Sequence, residues 1–233
     1  MKSEKVKTGI IELDKITDGG IPKGSLVLLS GAPGTGKTVL GFEFIYNGAK
    51  KFKEPGVYIS LDEPPEGVVS DMINLGFKDV KTFIDSGMIE IIKVPMFDFF
   101  GIKKAVKDAA EKLNAKRIVI DSASILSMFF RDEESIRRGI MEISEMNKKI
   151  GCTTILIDEM VGNRSYSRHG VDEFVADTVI TLYRKPVQDK FFRAIAVIKM
   201  RGSGHSEKVH LMEITPEGIR IPLDKKLPSD FRI

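Results

Sequence analysis

The segment Gly31-Ala32-Pro33-Gly34-Thr35-Gly36-Lys37-Thr38 fits the pattern G-x-x-x-x-G-K-[ST] and follows directly on the apolar run Ser25-Leu-Val-Leu-Leu-Ser30. A strand that turns through a glycine loop into a helix leaves the chain few architectures. The glycines at 31, 34 and 36 let the backbone aim several N–H groups at one anion, and a helix beginning near Lys37 adds its positive end. Such a loop cradles nucleotide phosphates. Lys37 is expected to bridge the β- and γ-phosphates, and Thr38 to offer its hydroxyl to Mg²⁺. The alternative is a glycine-rich turn without a ligand, which four fixed positions between a strand and a helix disfavour.

Short β-branched runs alternate with helix-period segments along the rest of the chain, the pattern of a mostly parallel sheet with crossover helices. Further strands are expected at 56–61, 88–94, 117–121 and 153–158. Ile136, Ile140, Ile143 and Ile150 give 133–149 a helical face that Gly151 stops, and Ile102 to Leu113 forms a second helix ending at Asn114. Beyond residue 175 two alternating stretches, 177–183 and 191–200, read as a hairpin joined through Arg184 to Lys190 with Pro186 in the connection. With 209–214 and 218–221 they extend the sheet with antiparallel strands. The expectation is an α/β fold in one domain spanning 1–233, its core at about 8–223 and its tail, 224–233, either loose or strapped onto a neighbouring subunit.

Composition narrows the partners. Over 233 residues, 42% are hydrophobic and 30% charged, globular values, and the net charge of +3 gives no overall electrostatic case for nucleic acid, membrane or acidic substrates. Cys152 is the only cysteine, which excludes an intrachain disulfide and a cysteine metal cluster and suits a reducing cytoplasm. The amino terminus has no apolar stretch after its basic residues, and nowhere do 18 uninterrupted apolar residues occur, so neither a signal peptide nor a membrane span is expected. His169, His205 and His210 lack metal-ligand spacing, the ten methionines fall mostly in apolar runs, and Phe97, Phe99 and Phe100 read as a packing cluster.

Three further constellations carry chemistry. Asp121 closes the strand Arg117-Ile-Val-Ile and suits a magnesium site held with Thr38, the alternative being an aspartate that caps a loop, as Asp158 equally resembles. Asp62 and Glu63 follow the strand at 56–61; one of them is placed to polarise an attacking water, the alternative being a cap for the helix starting at Pro64 or Pro65. Lys199 and Arg201, in Lys199-Met-Arg-Gly-Ser-Gly-His205, project from one strand face towards a γ-phosphate or simply into solvent.

From about Thr8 to Leu223 the chain resembles a single RecA-type ATPase domain of the KaiC family, stand-alone in archaea. The resemblance rests on Thr8-Gly-Ile…Leu13-Asp…Gly19-Gly-Ile-Pro-Lys-Gly24, the phosphate loop, the acidic pair, Asp121, Arg168-His-Gly-Val-Asp-Glu-Phe-Val-Ala-Asp177 and Lys199 to His205. It implies a homo-oligomeric ring of six subunits binding ATP and Mg²⁺ at their interfaces. Lys37, Thr38 and Asp121 would then act within one subunit, and Lys199, Arg201 and His205 on the neighbour's nucleotide. The family's acidic pair is Glu-Glu, whereas here the first member is Asp62, so the base remains either Asp62 or Glu63. Family phosphoacceptor positions lie in a second repeat that is not among these residues.

The expected activity is Mg²⁺-dependent ATP hydrolysis coupled to an unidentified client protein. Two alternatives stand beside it. One is a slow nucleotide-dependent protein-interaction switch. The other is an ATP-dependent single-stranded DNA-binding or recombination accessory module, using loops at 122–132 and 162–170 that hold Arg164, Tyr166, Arg168 and His169.

Overall fold

The computed structural model describes residues 4–94, 98–160, 166–168 and 170–232. An antiparallel pair, β1 (Lys5–Val6) with β2 (Ile21–Pro22), flanks helix α1 (Ile11–Ile16). The carboxylate of Asp14 accepts from the Thr8 N–H (2.7 Å), the Thr8 hydroxyl (2.8 Å) and the Gly9 N–H (3.2 Å), which makes this Thr-Gly-Ile segment a structural latch. The chain then alternates strand and helix: β3 (Leu26–Gly31), α2 (Lys37–Asn47), β4 (Gly56–Ser60), α3 (Pro65–Asn74), α4 (Val80–Asp85), β5 (Ile89–Lys93), α5 (Phe99–Leu113) and β6 (Arg117–Asp121). It continues through α6 (Leu126–Phe129), α7 (Glu133–Ile150), β7 (Thr153–Glu159), α8 (Asp172–Val175), β8 (Thr178–Val187), β9 (Lys190–Met200), β10 (His210–Thr215) and β11 (Gly218–Arg220).

Among the described residues these form a nine-stranded sheet in the order β11-β10-β9-β8-β3-β7-β6-β4-β5. The run from β8 to β5 is parallel, and β9, β10 and β11 add on antiparallel, as the sequence pattern predicts. All six residues of β3 are buried because helices cover both faces, which is why the strand reads as a continuous apolar run. On one face α2 contributes Phe42, Phe44 and Ile45 to a core with Leu29, Tyr58 and Leu182. On the other, α5 and α7 place Ile102, Val106, Ile136, Ile140 and Ile143 against Ile120 and Leu156.

Helix ends follow local chemistry. Asn114 (φ 51°) and Gly151 (φ 77°) terminate α5 and α7 in the left-handed region that glycine and asparagine tolerate best. Asp132 caps α7 by accepting from the Ser135 N–H at 2.8 Å. Helix α5 starts three residues ahead of the predicted Ile102, because Asp98 accepts from the Gly101 N–H at 2.6 Å and fixes the first turn there. Phe99 packs edge-on against Phe130 with centroids 5.0 Å apart, while Phe100 is exposed and Phe97 lies outside the described residues. No helix among the described residues is long and apolar enough to cross a membrane.

Two expectations are corrected. Pro186 lies inside β8 and not in the hairpin connection, which shrinks to Gln188 and Asp189. Proline is tolerated there because β3 pairs with β8 only as far as Leu182, so the missing N–H faces no neighbouring strand. The tail is not loose: Leu227 and Phe231 pack onto Tyr183, Ala194 and Ala196 of this chain's own β8 and β9.

Arg117, 1% exposed at the start of β6, is the largest fully buried side chain among the described residues. Its Nε donates to Glu54 (2.8 Å), its NH1 to the Phe44 carbonyl (2.9 Å), and its guanidinium lies 4.6 Å from the Phe44 ring centroid. Burial pulls its pKa down, and Glu54 holds the charge in place.

Candidate nucleotide site

The loop Gly31 to Thr38 leaves the carboxyl edge of β3 and enters α2, where parallel sheets receive their ligands. A side chain at Gly31 would put its Cβ 2.5 Å from the Leu182 carbonyl oxygen, so the close approach of β8 demands glycine. Gly36 adopts φ 106°, and a Cβ there would meet Ile214 Cδ1 at 2.8 Å. The antiparallel strand β10 therefore forms the floor of the phosphate loop. Glu43 of α2 extends this support by accepting from the Ile219 N–H of β11 at 2.8 Å.

Lys37 Nζ donates to the carbonyls of Gly31 (2.8 Å) and Ala32 (3.2 Å), and Thr35 closes the loop by donating to Ala32 (2.8 Å). Burial pulls the Lys37 pKa down, while the carboxylates of Glu159, Asp121 and Asp158 oppose that shift. Thr38 Oγ1 donates to Asp121 Oδ2 at 2.9 Å, bringing together the two predicted magnesium residues from α2 and β6. The Tyr58 hydroxyl donates to the same oxygen at 2.6 Å, and burial beside that carboxylate raises the tyrosine pKa well above its ordinary value. A hydroxyl and a carboxylate are hard oxygen donors of the kind Mg²⁺ takes. Two such donors from the chain fit an ion whose remaining ligands are phosphate and water oxygens.

The acidic pair sits on the turn after β4. Ser60 Oγ donates to the Glu63 carbonyl (2.6 Å) and accepts from the Glu63 N–H (3.0 Å), which sets the turn. Neither Asp62 nor Glu63 caps α3, whose N-cap is Pro64. Both are exposed, but their surroundings differ. The Glu63 carboxylate lies over Gly67, where a Cβ would come within 2.6 Å of Oε1, and its pKa is raised by partial burial and by the charges of Asp71 and Asp121. Asp62 is held through its carbonyl, which accepts from Lys93 Nζ at 2.9 Å. Of the pair, Glu63 shares an electrostatic environment with the Thr38–Asp121 couple.

Lys199 and Arg201 are far from this loop within the chain. They close β9 beside Thr178, which is in register with Val27 at the start of β3, so at ~3.3 Å per residue roughly 13 Å of strand separates that level from Gly31. Both reach back to the carboxyl end of α8: Lys199 Nζ donates to the Glu173 carbonyl (2.6 Å) and Arg201 NH2 to the Phe174 carbonyl (2.7 Å). Arg201 also pairs with Asp177 at 3.5 Å. His205 Nδ1 lies 3.1 Å from the Ser206 carbonyl.

Of the residues considered for DNA, Arg164 and His169 lie outside the described residues, and Arg168 is paired with Glu159 at 3.0 Å. The segment 122–132 is helical turns at Ala123–Ile125 and α6 more than open loop. Sequence reasoning missed Tyr58, which an apolar strand run conceals, and the floor supplied by Ile214, which no local pattern connects to residue 36.

The chain as a whole is similar to known proteins. A family model described as "ATPase: KaiC" matches residues 6–226. The UPF0273 protein PH0284 of Pyrococcus horikoshii is 34% identical, covering 97% of this chain and 96% of that protein. The circadian clock oscillator protein KaiC of Synechococcus elongatus is 31% identical over 93% of this chain, which spans 44% of that longer protein. The crystal structure of the KaiC-like protein PH0186 from Pyrococcus horikoshii OT3 superposes with a TM-score of 0.86 at 34% identity, covering 94% and 99% of the two chains.

Proposed function

The chain belongs to the KaiC family of RecA-like P-loop ATPases, and from that premise we propose that it hydrolyses ATP with Mg²⁺ at sites shared between subunits of a homo-oligomeric ring. The observation that carries this reading is the separation of the parts. Lys37, Thr38, Asp121 and Glu63 gather at one edge of the sheet, while Lys199 and Arg201 stand at the level of the other. A second copy brings its Lys199 and Arg201 to this loop without any rearrangement of the strand.

In that site the N–H groups of Gly34 to Thr38 and the amino end of α2 hold the phosphates. Lys37 neutralises charge on the β- and γ-phosphates, and Thr38 with Asp121 would hold Mg²⁺, which when bound would supply electrostatic stabilisation of the transferred phosphoryl group. Glu63 orients the attacking water and takes its proton. Lys199 and Arg201 of the adjoining subunit stabilise charge that develops in the transition state, and their contacts with the carbonyls of α8 set the direction from which they approach. The output is regulatory, through a client protein that recognises the nucleotide state.

Measuring ATP turnover with Mg²⁺ across protein concentration tests the shared site. Specific activity is expected to rise as subunits assemble. A monomer with full specific activity overturns the role of Lys199 and Arg201, and intact ATP after prolonged incubation of the assembled protein overturns hydrolysis in favour of a switch.

The raised pKa of Glu63 gives a second expectation. A general base works only when deprotonated, so rate falls as pH drops through its pKa, and a raised value places that fall at higher pH than for an ordinary glutamate. Asp71→Asn removes one of the charges that raise it. The acid limb of the kcat profile is expected to move to lower pH in this variant; an unmoved limb separates that limb from Glu63.

A further inference from the structure

Arg184 of β8 and Arg193 of β9 are paired in register, so the two guanidinium groups leave the hairpin on one face. That face adjoins the phosphate loop. Arg193 Nε donates to the Gly34 carbonyl at 3.2 Å, and a Cβ on Gly34 would lie 3.8 Å from both Cδ and NH1 of Arg184. The arginine ion pairs among the described residues are made by Arg117, Arg138, Arg168 and Arg201. Arg184 and Arg193 share no carboxylate, and the Arg193 pKa is pulled down by burial and by the neighbouring charge of Arg184.

Arg184 is also fixed without being satisfied. Its guanidinium lies 3.9 Å from the centroid of Phe191, an exposed ring diagonal to it on the hairpin, and its Nε is buried with no hydrogen-bond partner. Stacking holds the plane of the group and leaves its N–H edge for another ligand. Two adjacent cations and a buried donor without an acceptor are costly unless an anion joins them.

We infer that Arg184, oriented by Phe191 and set beside Arg193, is a further phosphate-binding residue that contacts the polyphosphate chain of a nucleoside triphosphate from the same subunit as the loop. This rests on the nucleotide reading above. Arg184 acts on the side of Gly34 and so adds positive charge where the loop itself supplies only backbone.

Binding of ATP and of inorganic tripolyphosphate, measured by calorimetry on the full chain, tests this. Arg184→Gln is expected to weaken both ligands about 10- to 100-fold, the loss of a charge-assisted contact, with Arg184→Lys recovering part of it. Thermal unfolding identifies a variant that fails to fold, and Phe191→Leu, which keeps the charge and removes the stacking platform, then carries the test with a smaller loss for both ligands. Unchanged affinity for both ligands in folded Arg184→Gln overturns the inference. Weakened ATP with unchanged tripolyphosphate also overturns it, assigning Arg184 to the base or sugar. Lys37→Ala separates the two levels: if it binds ATP as tightly as the parent chain, the nucleotide reading itself fails, whatever Arg184 does.

Discussion

Glu63→Gln is expected to lower ATP turnover about 100- to 10,000-fold, the range ascribed to a general base, while ATP binding stays close to that of the parent protein. The glutamine keeps the size and polarity of the side chain over Gly67 and removes only its ability to take a proton. Asp62→Asn, on the other member of the pair, is expected to leave most of the turnover. The contrast follows from the turn that Ser60 closes, which orients Glu63 towards the electrostatic neighbourhood of Asp121 and leaves Asp62 held through its backbone. Steady-state kinetics at saturating ATP decide the matter. Equal losses in the two variants, or the larger loss in Asp62→Asn, would move the base to Asp62.

Removing Glu54 produces the other large effect, on stability. Glu54→Ala strands the charge of Arg117, a side chain 1% exposed whose remaining partners are the Phe44 carbonyl and two aromatic faces. Arg117 is buried while Glu54 is one-third exposed, so the loss is at the lower end of the range for breaking a buried pair, about 3 kcal/mol, a fall in Tm of roughly 6–12 °C for a domain of this size. Glu134→Ala, which removes an exposed partner of Arg138 one helical turn away, serves as the control and is expected to change little. Calorimetric Tm values for the two variants check the difference; similar small losses would mean that water reaches Arg117 when Glu54 is gone.

The parallel half of the sheet was legible because its central strands β3, β4 and β6 are runs of mostly apolar, buried residues, so β6 begins and ends where its sequence does, at Arg117 and Asp121. The phosphate loop and its pairing with Asp121 were legible for a related reason: consecutive residues and strand ends carry the chemistry. The hairpin was legible too, but its connection was not. Reading Arg184 to Lys190 as a connection treated Pro186 as a breaker, although a proline at an unpaired strand margin breaks nothing. That reading hid Arg184, because only the two-residue turn fixes the register that sets it opposite Arg193. Arg117 was hidden differently. An arginine at a strand start looks solvated until Glu54, distant in sequence, is seen to neutralise it.

The packing of Ile214 beneath Gly36 bears on how the protein is made. During synthesis the glycine loop and α2 leave the ribosome early, with the apolar floor of the loop and the backbone N–H that Glu43 accepts still untranslated. A nascent chain halted after β8 would carry the whole phosphate-binding motif without the strands that hold its shape. On the nucleotide reading proposed above, a nucleotide that binds the shaped loop stabilises the finished chain more than such a precursor.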